Sequence, residues 1–207
     1  MGGFVVTCVD GGYQKGLKEA LLMLRMAVFH IRSKNMPETN GTESEDAKDI
    51  HAQLKKEREE MKKTELVLLG GKRDSEILFI RNDTELTEIE IYNMLIEHTE
   101  RAEYIRRVIP VKSIFTLSAD NLVKETKKVC EDIGAQESFR ISLSKRLCVH
   151  ISSEFIITKV AEQIPRKVDL KNPDKVVMVE IVKDLCAIGA LKPCPGNFNI
   201  TRSPRMQ

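Results

Sequence analysis

Cationic side chains at the end of one short segment offer the clearest chemistry in this sequence. The segment SFRISLSKR begins at Ser138, carries Arg140 in its interior and ends with Lys145 and Arg146. A guanidinium group can donate paired hydrogen bonds to phosphate oxygens, and an ammonium group supplies a compact positive charge. Arg140, Lys145 and Arg146 are therefore the main candidates for contact with phosphate groups, although an arginine that points outward from a strand can also simply face water.

Weaker candidates for contact with a phosphate-bearing ligand lie before and after this segment. His150 could donate to a phosphate or stack on a base, but a lone histidine beside apolar residues is more often structural. Ser153 lies at a predicted helix start, where free amide groups attract anions, or it belongs to an ordinary helix cap. The remaining candidates flank a later turn or occupy an earlier strand: Lys167, Lys171, Arg106 and Arg107.

Three elements of different periodicity would position these side chains. The segment SFRISLSKR alternates apolar and polar residues, which predicts a strand with one buried face. The following apolar stripe predicts a helix that begins at Ser152 or Ser153, continues to about Gln163 and ends before Pro165. The run Val176–Val182 is almost continuously apolar, as is typical of a strand covered on both faces. The order predicts a βαβ unit.

This region resembles a THUMP domain, an RNA-binding module of tRNA-modifying proteins. The resemblance covers about 138–191 and rests on these residues in order: Phe139, Arg140, Lys145, Arg146, Ser153, Glu154, Val168, Asp169, Leu170, Asn172, Pro173, Asp174, Val179, Glu180 and Ile181. The sequence departs from the family pattern after the basic pair, where Leu147, Cys148 and Val149 replace residues that are often polar.

Two further segments are similar to one eukaryotic subfamily of stand-alone THUMP proteins. They are GFVVTCVDGGYQKGLKEALLML near the beginning of the sequence and VEIVKDLCAI from Val179. The resemblance implies a non-catalytic adaptor that binds tRNA and presents a cytidine to a separate RNA cytidine acetyltransferase, which forms 4-acetylcytidine. It also implies a location in the nucleus or nucleolus, with the cytoplasm otherwise expected.

The whole sequence predicts an α+β fold with two domains. Residues 1–112 show the order β, α, β, β, α, β, which predicts a ferredoxin-like domain, with a mobile charged insertion at about 33–63. Residues 113–200 are assigned to the THUMP α/β domain and residues 201–207 to a tail.

Boundaries of the individual elements are predicted from apolar periodicity and turn residues. A first strand at Phe4–Val9 and a helix are followed, after the insertion, by two strands around a turn at Gly70–Ser75. A second helix should run to about Arg101 and a strand should occupy Ile105–Ile109. The next helix is expected to stop at a left-handed Gly134. The pattern at 185–191 leaves both strand and helix open.

Composition excludes several classes of protein and favours RNA contact in the second half. No apolar run reaches the roughly 20 residues that span a bilayer, and residues 1–20 lack the pattern of a secretion signal, so neither a membrane nor secretion is expected. Five cysteines without a CxxC pair predict no zinc site and no disulfide framework. Residues 1–100 carry a net charge of −5 and residues 101–207 carry +7, which favours polyanion binding by the second half.

Catalytic motifs are not evident in the sequence. Gly11 and Gly16 have phosphate-loop spacing, but Leu17 stands where that motif requires lysine. We therefore expect no catalytic residue, no metal and no cofactor. Two alternatives to the adaptor remain open at this point: a stand-alone tRNA-modifying enzyme, and a protein-interaction module that has lost RNA binding, which the apolar 147–149 segment would fit.

Overall fold

The computed structural model describes residues 1–35, 65–72, 76–98, 102–194 and 198–200. Two sheets, each with helices packed against it, account for these residues. In chain order the elements are β1 (Gly3–Cys8), α1 (Tyr13–Asn35), β2 (Leu66–Lys72), β3 (Ile77–Asn82), α2 (Glu88–His98), β4 (Ile105–Val111), β5 (Ser113–Thr116), α3 (Ala119–Cys130), β6 (Ser138–Arg146), α4 (Ser153–Ala161), β7 (Lys167–Val168), β8 (Lys175–Val182) and β9 (Leu185–Leu191).

The first sheet has the strand order β2-β3-β1-β4, and every neighbouring pair is antiparallel. Its central strand β1 is almost wholly buried because the segment GFVVTC is apolar on both faces. The helix α1 turns Ala20, Leu24 and Ala27 into the core and packs against α2. The predicted order of elements over residues 1–112 is therefore present.

The second sheet has the strand order β5-β9-β8-β6-β7. β6 pairs in parallel with β8 and with the short β7, whereas β9 is antiparallel to both β8 and β5. The helix α4 connects β6 to the strands beside it, so the predicted βαβ unit is present. The structure also shows that residues 185–191 form a strand, which follows a tight turn in which Lys183 has a φ of 57°.

Several predicted boundaries are wrong. α1 continues to Asn35, so the first residues assigned to the insertion are helical, and β2 continues through Gly70 to Lys72. α3 ends at Cys130, and Gly134 is not left-handed. The chain leaves α3 through short-range turns, in which the Ile133 amide donates to the Cys130 carbonyl at 3.1 Å; these turns satisfy the free carbonyls of the helix end without a left-handed residue. The predicted insertion from 36 onward, up to its end at 63, and the tail at 201–207 lie outside the described residues.

The two sheets face each other across a shared core. Met178 and Ala187 of the second sheet belong to the same buried cluster as Phe4 and Phe79 of the first. The other face of the second sheet packs against α3 and α4 around a separate buried cluster. Among the described helices, none is long and apolar enough to cross a membrane. The mixed α/β content and the division into two sheets agree with the predicted α+β class.

A close backbone approach and a returning segment join the two sheets. A Cβ atom at Gly189 in β9 would lie 3.1 Å from the Cα of Val111 in β4, so the absence of a side chain allows the strands to approach. The segment 198–200 then runs along β4, where the Ile200 amide donates to the Arg106 carbonyl at 2.9 Å. These contacts set the position of β4 beside the second sheet.

Candidate nucleic-acid interface

The end of β6 and the beginning of α4 meet at what we call the basic corner, which comprises Lys145, Arg146, His150 and Ser153. The Lys145 ammonium donates a 2.7 Å hydrogen bond to the Ile151 carbonyl, which ties the strand end to the loop that precedes α4. The Arg146 side chain is exposed, and its carbonyl accepts the Lys183 amide at 2.9 Å. The corner is therefore attached to rigid elements on both sides.

Adjacent residues of the basic pair point to opposite faces of the second sheet. Because side chains alternate along a strand, Lys145 lies on the face covered by α3 and α4, and Arg146 lies on the face that the first sheet partly covers. Arg140 shares the face of Arg146 but lies about 20 Å away along β6, at 3.3 Å per residue. Arg140 therefore does not lie at the basic corner.

The opposite end of β6 holds a second group of predicted RNA contacts. Lys167 in β7 pairs with Ser138, about 26 Å along β6 from Arg146, and Lys171 follows it in an exposed turn. The Asp169 carboxylate accepts the Lys171 amide at 2.9 Å. The Asn172 amide donates to the same carboxylate. The bond from Asn172, followed by the one from Lys171, lowers the pKa of Asp169. The Asp169 side chain thus stabilises the turn.

His150 and Ser153 both lie at the basic corner. Ser152 is the N-cap of α4, since its hydroxyl accepts the Phe155 amide at 3.1 Å, and Ser153 is the first helical residue. The exposed His150 ring lies 4.0 Å from the Cys148 sulfur, which is buried beneath the loop. Lys145, His150 and Ser153 therefore lie around the start of α4, and Arg146 follows Lys145 at the strand end with its side chain on the opposite face of the sheet.

Arg106 and Arg107 point to opposite faces of β4. Arg106 is exposed and forms a 3.4 Å ion pair with Asp10. Arg107 extends toward the second sheet, where its Nη2 atom lies 3.7 Å from Oε1 of Glu180 in β8. Arg107 therefore belongs to the junction between the sheets, and Arg106 lies on the outside of the first sheet.

Glu180 is a functional candidate that the sequence analysis did not select. It lies in the buried strand β8 with 4% of its surface exposed, and burial raises the pKa of its carboxyl group. A hydrogen bond from Ser144 and the charges of Arg107 and Arg146 oppose that rise. The sequence signal was a single acid within the apolar run KVVMVEIV.

Apolar side chains adjoin the basic corner. Leu147 and Val149 expose 53% and 95% of their surfaces, and Phe155 and Ile157 on α4 are also partly exposed. Leu147 has a φ of 54°, a left-handed conformation that ends β6. The corner thus combines cations with an apolar loop, a surface that suits both nucleic acid and protein contacts.

Candidate catalytic features elsewhere are few within the described ranges. No group of three or more histidine, cysteine or acidic side chains in those ranges could hold a metal ion. Gly16 lies in the first turn of α1, where its amide donates to the Gly12 carbonyl.

A cavity of about 770 Å³ lies between α2 and the end of β9, and Tyr92 and Cys194 line it. Burial, with Cys194 nearby, raises the pKa of Tyr92 to about 12.

The region from 117 to 190 matches the family model of the THUMP domain. It contains α3, β6, α4, β7 and β8 and most of β9. This region is a THUMP domain. The match begins at Leu117, before the segment that carried the sequence resemblance, so α3 belongs to the THUMP domain as well. The basic corner and Glu180 both lie inside it, whereas Arg106 and Arg107 lie outside.

Comparison with solved structures extends the likeness beyond the THUMP domain. The PH1313 protein of Pyrococcus horikoshii Ot3 aligns with a TM-score of 0.54 and 17% identity, covering 93% of this chain and 55% of that one. A 4-thiouridine synthetase, solved with RNA and bound ATP, aligns with a TM-score of 0.48 and 14% identity, covering 94% of this chain and 42% of that one. The solution structure of the THUMP domain of THUMP domain-containing protein 1 is 27% identical and covers 38% of this chain and 93% of that one, with a TM-score of 0.30.

The likeness to PH1313 shows a shared fold across both sheets, not the THUMP domain alone. The chain spans about half the length of that protein. Among curated proteins, no match is found.

Proposed function

We propose that this chain is a non-catalytic tRNA-binding adaptor that presents a cytidine to a separate RNA cytidine acetyltransferase for 4-acetylcytidine formation. The observation that carries the proposal is the basic corner, where Lys145 and Arg146 are held on rigid elements inside a THUMP domain. The resemblance of the first and last segments to the acetylation adaptors supports the choice of reaction. We further propose a nuclear or nucleolar location.

The first sheet fits this proposal as a second RNA-facing unit. Its element order and its strand order β2-β3-β1-β4 are those we expect of a ferredoxin-like unit. Arg107 brings this unit to within 3.7 Å of Glu180 in the THUMP domain. We infer that the two units bind folded tRNA together, mainly through its shape and its phosphates, as is common for structured RNA. Such binding would lower the entropic cost of the encounter between the acetyltransferase and the target base.

The phosphate contacts are tested by changing Lys145 and Arg146 together to alanine. We expect weaker binding to every tRNA and a smaller dependence of log Kd on log salt, with a slope reduced by about 2, because each lost phosphate contact releases about one counterion fewer. The measurement is a fluorescence titration at several salt concentrations. The matched control is Lys124→Ala with Lys127→Ala on α3, which removes the same charge from another exposed surface.

Equal affinity and an equal salt slope in the double variant and the wild-type protein would contradict the proposed phosphate contacts of the basic corner.

The exposed Leu147 and Val149 favour one competing function, a protein-interaction module without RNA binding. Failure of the wild-type chain to bind tRNA even at low salt would support that module instead.

The adaptor role is tested by reconstitution of the acetylation reaction. Purified chain, tRNA and acetyl-coenzyme A are incubated with and without the acetyltransferase, and 4-acetylcytidine is measured by mass spectrometry. We expect product only when the acetyltransferase is present, in a larger amount when the chain is added. Acetylation by the chain alone would identify it as an enzyme and overturn the adaptor role.

A further inference from the structure

A buried acid joins the two sheets at the edge of the basic corner. Glu180 exposes 4% of its surface and lies in register with Ser144 of β6 on one side and Ala187 of β9 on the other. Its Oε1 atom lies 3.7 Å from Nη2 of Arg107, which comes from the first sheet. At this position a cationic side chain of the first sheet, Arg107, therefore forms an ion pair with an acidic side chain of the THUMP domain, Glu180.

The charges that face this carboxylate come from two elements. Arg107 approaches from β4 and Arg146 from β6, and the Ser144 hydroxyl supplies a hydrogen bond. On β9 the opposing residue is Ala187, and the nearest ionisable group there is the buried thiol of Cys186. Arg107 is thus paired with the buried acid, and Arg146 lies on the same face of β6, two residues beyond Ser144. Both arginines belong to the predicted RNA contacts.

We propose that Glu180 is a positioning residue that holds Arg107 beside the face of β6 that carries Arg146, and that it takes up a proton from solvent when RNA phosphates attract these two arginines. The proposal rests on the proposed tRNA binding and deepens it. It implies that the interface is preorganised by an acid that contacts no RNA itself.

The physical reason is the cost of an uncompensated buried charge. In the free protein the two arginines offset the desolvation of the carboxylate, whose pKa is already raised by burial. Phosphates near Arg107 and Arg146 attract the two guanidinium groups toward the RNA. They also make the electrostatic potential at the Glu180 carboxyl group more negative. Both effects favour the protonated acid, because a buried carboxylate that loses its partners is strongly destabilised.

The sign of the pH dependence follows from this change. The bound state has the higher pKa for Glu180, so the complex binds more protons than the free components. Affinity for tRNA then rises as the pH falls from the Glu180 pKa of the complex toward the Glu180 pKa of the free protein, by at most about tenfold per pH unit for one proton.

The test is calorimetry of tRNA binding at about pH 6 and pH 8 in pairs of buffers with different ionisation heats, which counts the protons taken up. We expect up to one proton for the wild-type protein and a clearly smaller number for Glu180→Gln, whose amide cannot titrate. Glu125→Gln is the matched control, since Glu125 is also a buried acid with a Ser113 hydroxyl and a Lys128 partner. His150→Ala is a second control, at the basic corner itself.

Each outcome bears on one proposal or on both. Loss of proton uptake in Glu180→Gln, retained in Glu125→Gln, supports the role of Glu180. Unchanged uptake in Glu180→Gln, with tRNA still bound, overturns this inference and leaves the adaptor function intact. Failure of the wild-type chain to bind tRNA overturns both. Thermal unfolding of each variant identifies any misfolded protein, and in that case Glu180→Asp, which keeps a titrating acid, must still show proton uptake.

Discussion

Leu147 shows how a single backbone conformation shapes the basic corner. Its φ of 54° ends β6 immediately after Arg146 and directs the chain toward α4. A left-handed conformation costs an L-residue about 1–2 kcal/mol, and the cost is higher for a β-branched side chain. The corner therefore includes local strain that the surrounding contacts must offset.

Substitution of Leu147 tests this strain. We expect Leu147→Gly to be neutral or to raise the free energy of unfolding by up to about 1 kcal/mol, and Leu147→Val to lower it by about 1 kcal/mol. Urea unfolding of the three proteins is the measurement. A valine variant as stable as the glycine variant would show that the loop adopts another conformation in solution.

The raised pKa of Glu180 predicts how the free energy of unfolding depends on pH. Its pKa is raised in the folded protein, so the folded state binds more protons than the unfolded state over the range between the two pKa values. The contribution of this group to stability is therefore complete below the unfolded pKa and is lost as the pH rises through the folded pKa. We expect Glu180→Gln to flatten the fall in unfolding free energy across this range, as measured by urea unfolding from about pH 4 to pH 8. An equal slope in both proteins would contradict the raised pKa.

At the level of elements, α4 positions the loop that carries the basic corner. Ser152 caps the helix through the Phe155 amide, and Ile151 next to it accepts the Lys145 hydrogen bond. Loss of the cap should therefore affect both the helix and the loop. Ser118 caps α3 in the same way, through the Asn121 amide at 3.1 Å, and provides a comparison outside the corner.

Removal of either cap tests this coupling. We expect Ser152→Ala and Ser118→Ala each to lower the free energy of unfolding by about 1 kcal/mol. Only Ser152→Ala should also weaken tRNA binding, because only that helix start adjoins the cations. The measurements are thermal unfolding and fluorescence titration with tRNA. An equal loss of tRNA affinity in both variants would indicate a general effect of stability.

The predicted elements and the observed ones differ mainly in their ends and in short strands. The βαβ unit was predictable because each part carries its own period, and Lys145 and Arg146 were predictable as a pair because they are adjacent at a strand end. β5 and β7 were missed, since a segment of four residues or two has too few positions to show a period. The interior position of Arg140 in the segment was also evident from the sequence, and the nine-residue strand β6 keeps it about 20 Å from Arg146.

At the scale of the whole molecule, the contact between β4 and β9 determines how the two sheets meet. Gly189 lies against Val111 and the Lys112 amide, where an added Cβ would be 3.1 and 3.2 Å from backbone atoms. Backbone cannot move aside as a flexible side chain can. A larger residue at this position must therefore separate the sheets and shift Arg107 away from Glu180.

The contact is tested with a graded series at Gly189. We expect Gly189→Ala to be mildly destabilising and Gly189→Val to lower the free energy of unfolding by about 1–3 kcal/mol, as overpacking does. The valine variant should also weaken tRNA binding, since it moves the first sheet relative to the THUMP domain. Gly134→Ala is the control, because the added Cβ there meets only the flexible Glu137 side chain. Full stability of Gly189→Val would contradict the close approach.

Local patterns in the sequence by themselves determined the strand and helix of the βαβ unit, the order of elements in the first half and the adjacency of the basic pair. Alternation, helix caps and turn residues act within a few positions, so they can be recognised without a structure. Only the tertiary structure established that 185–191 is a strand and that Arg107 meets Glu180, residues 73 positions apart. These features depend on the packing of two sheets, which brings distant segments together. A local pattern of apolar and polar residues does not indicate which distant segment will be the neighbour.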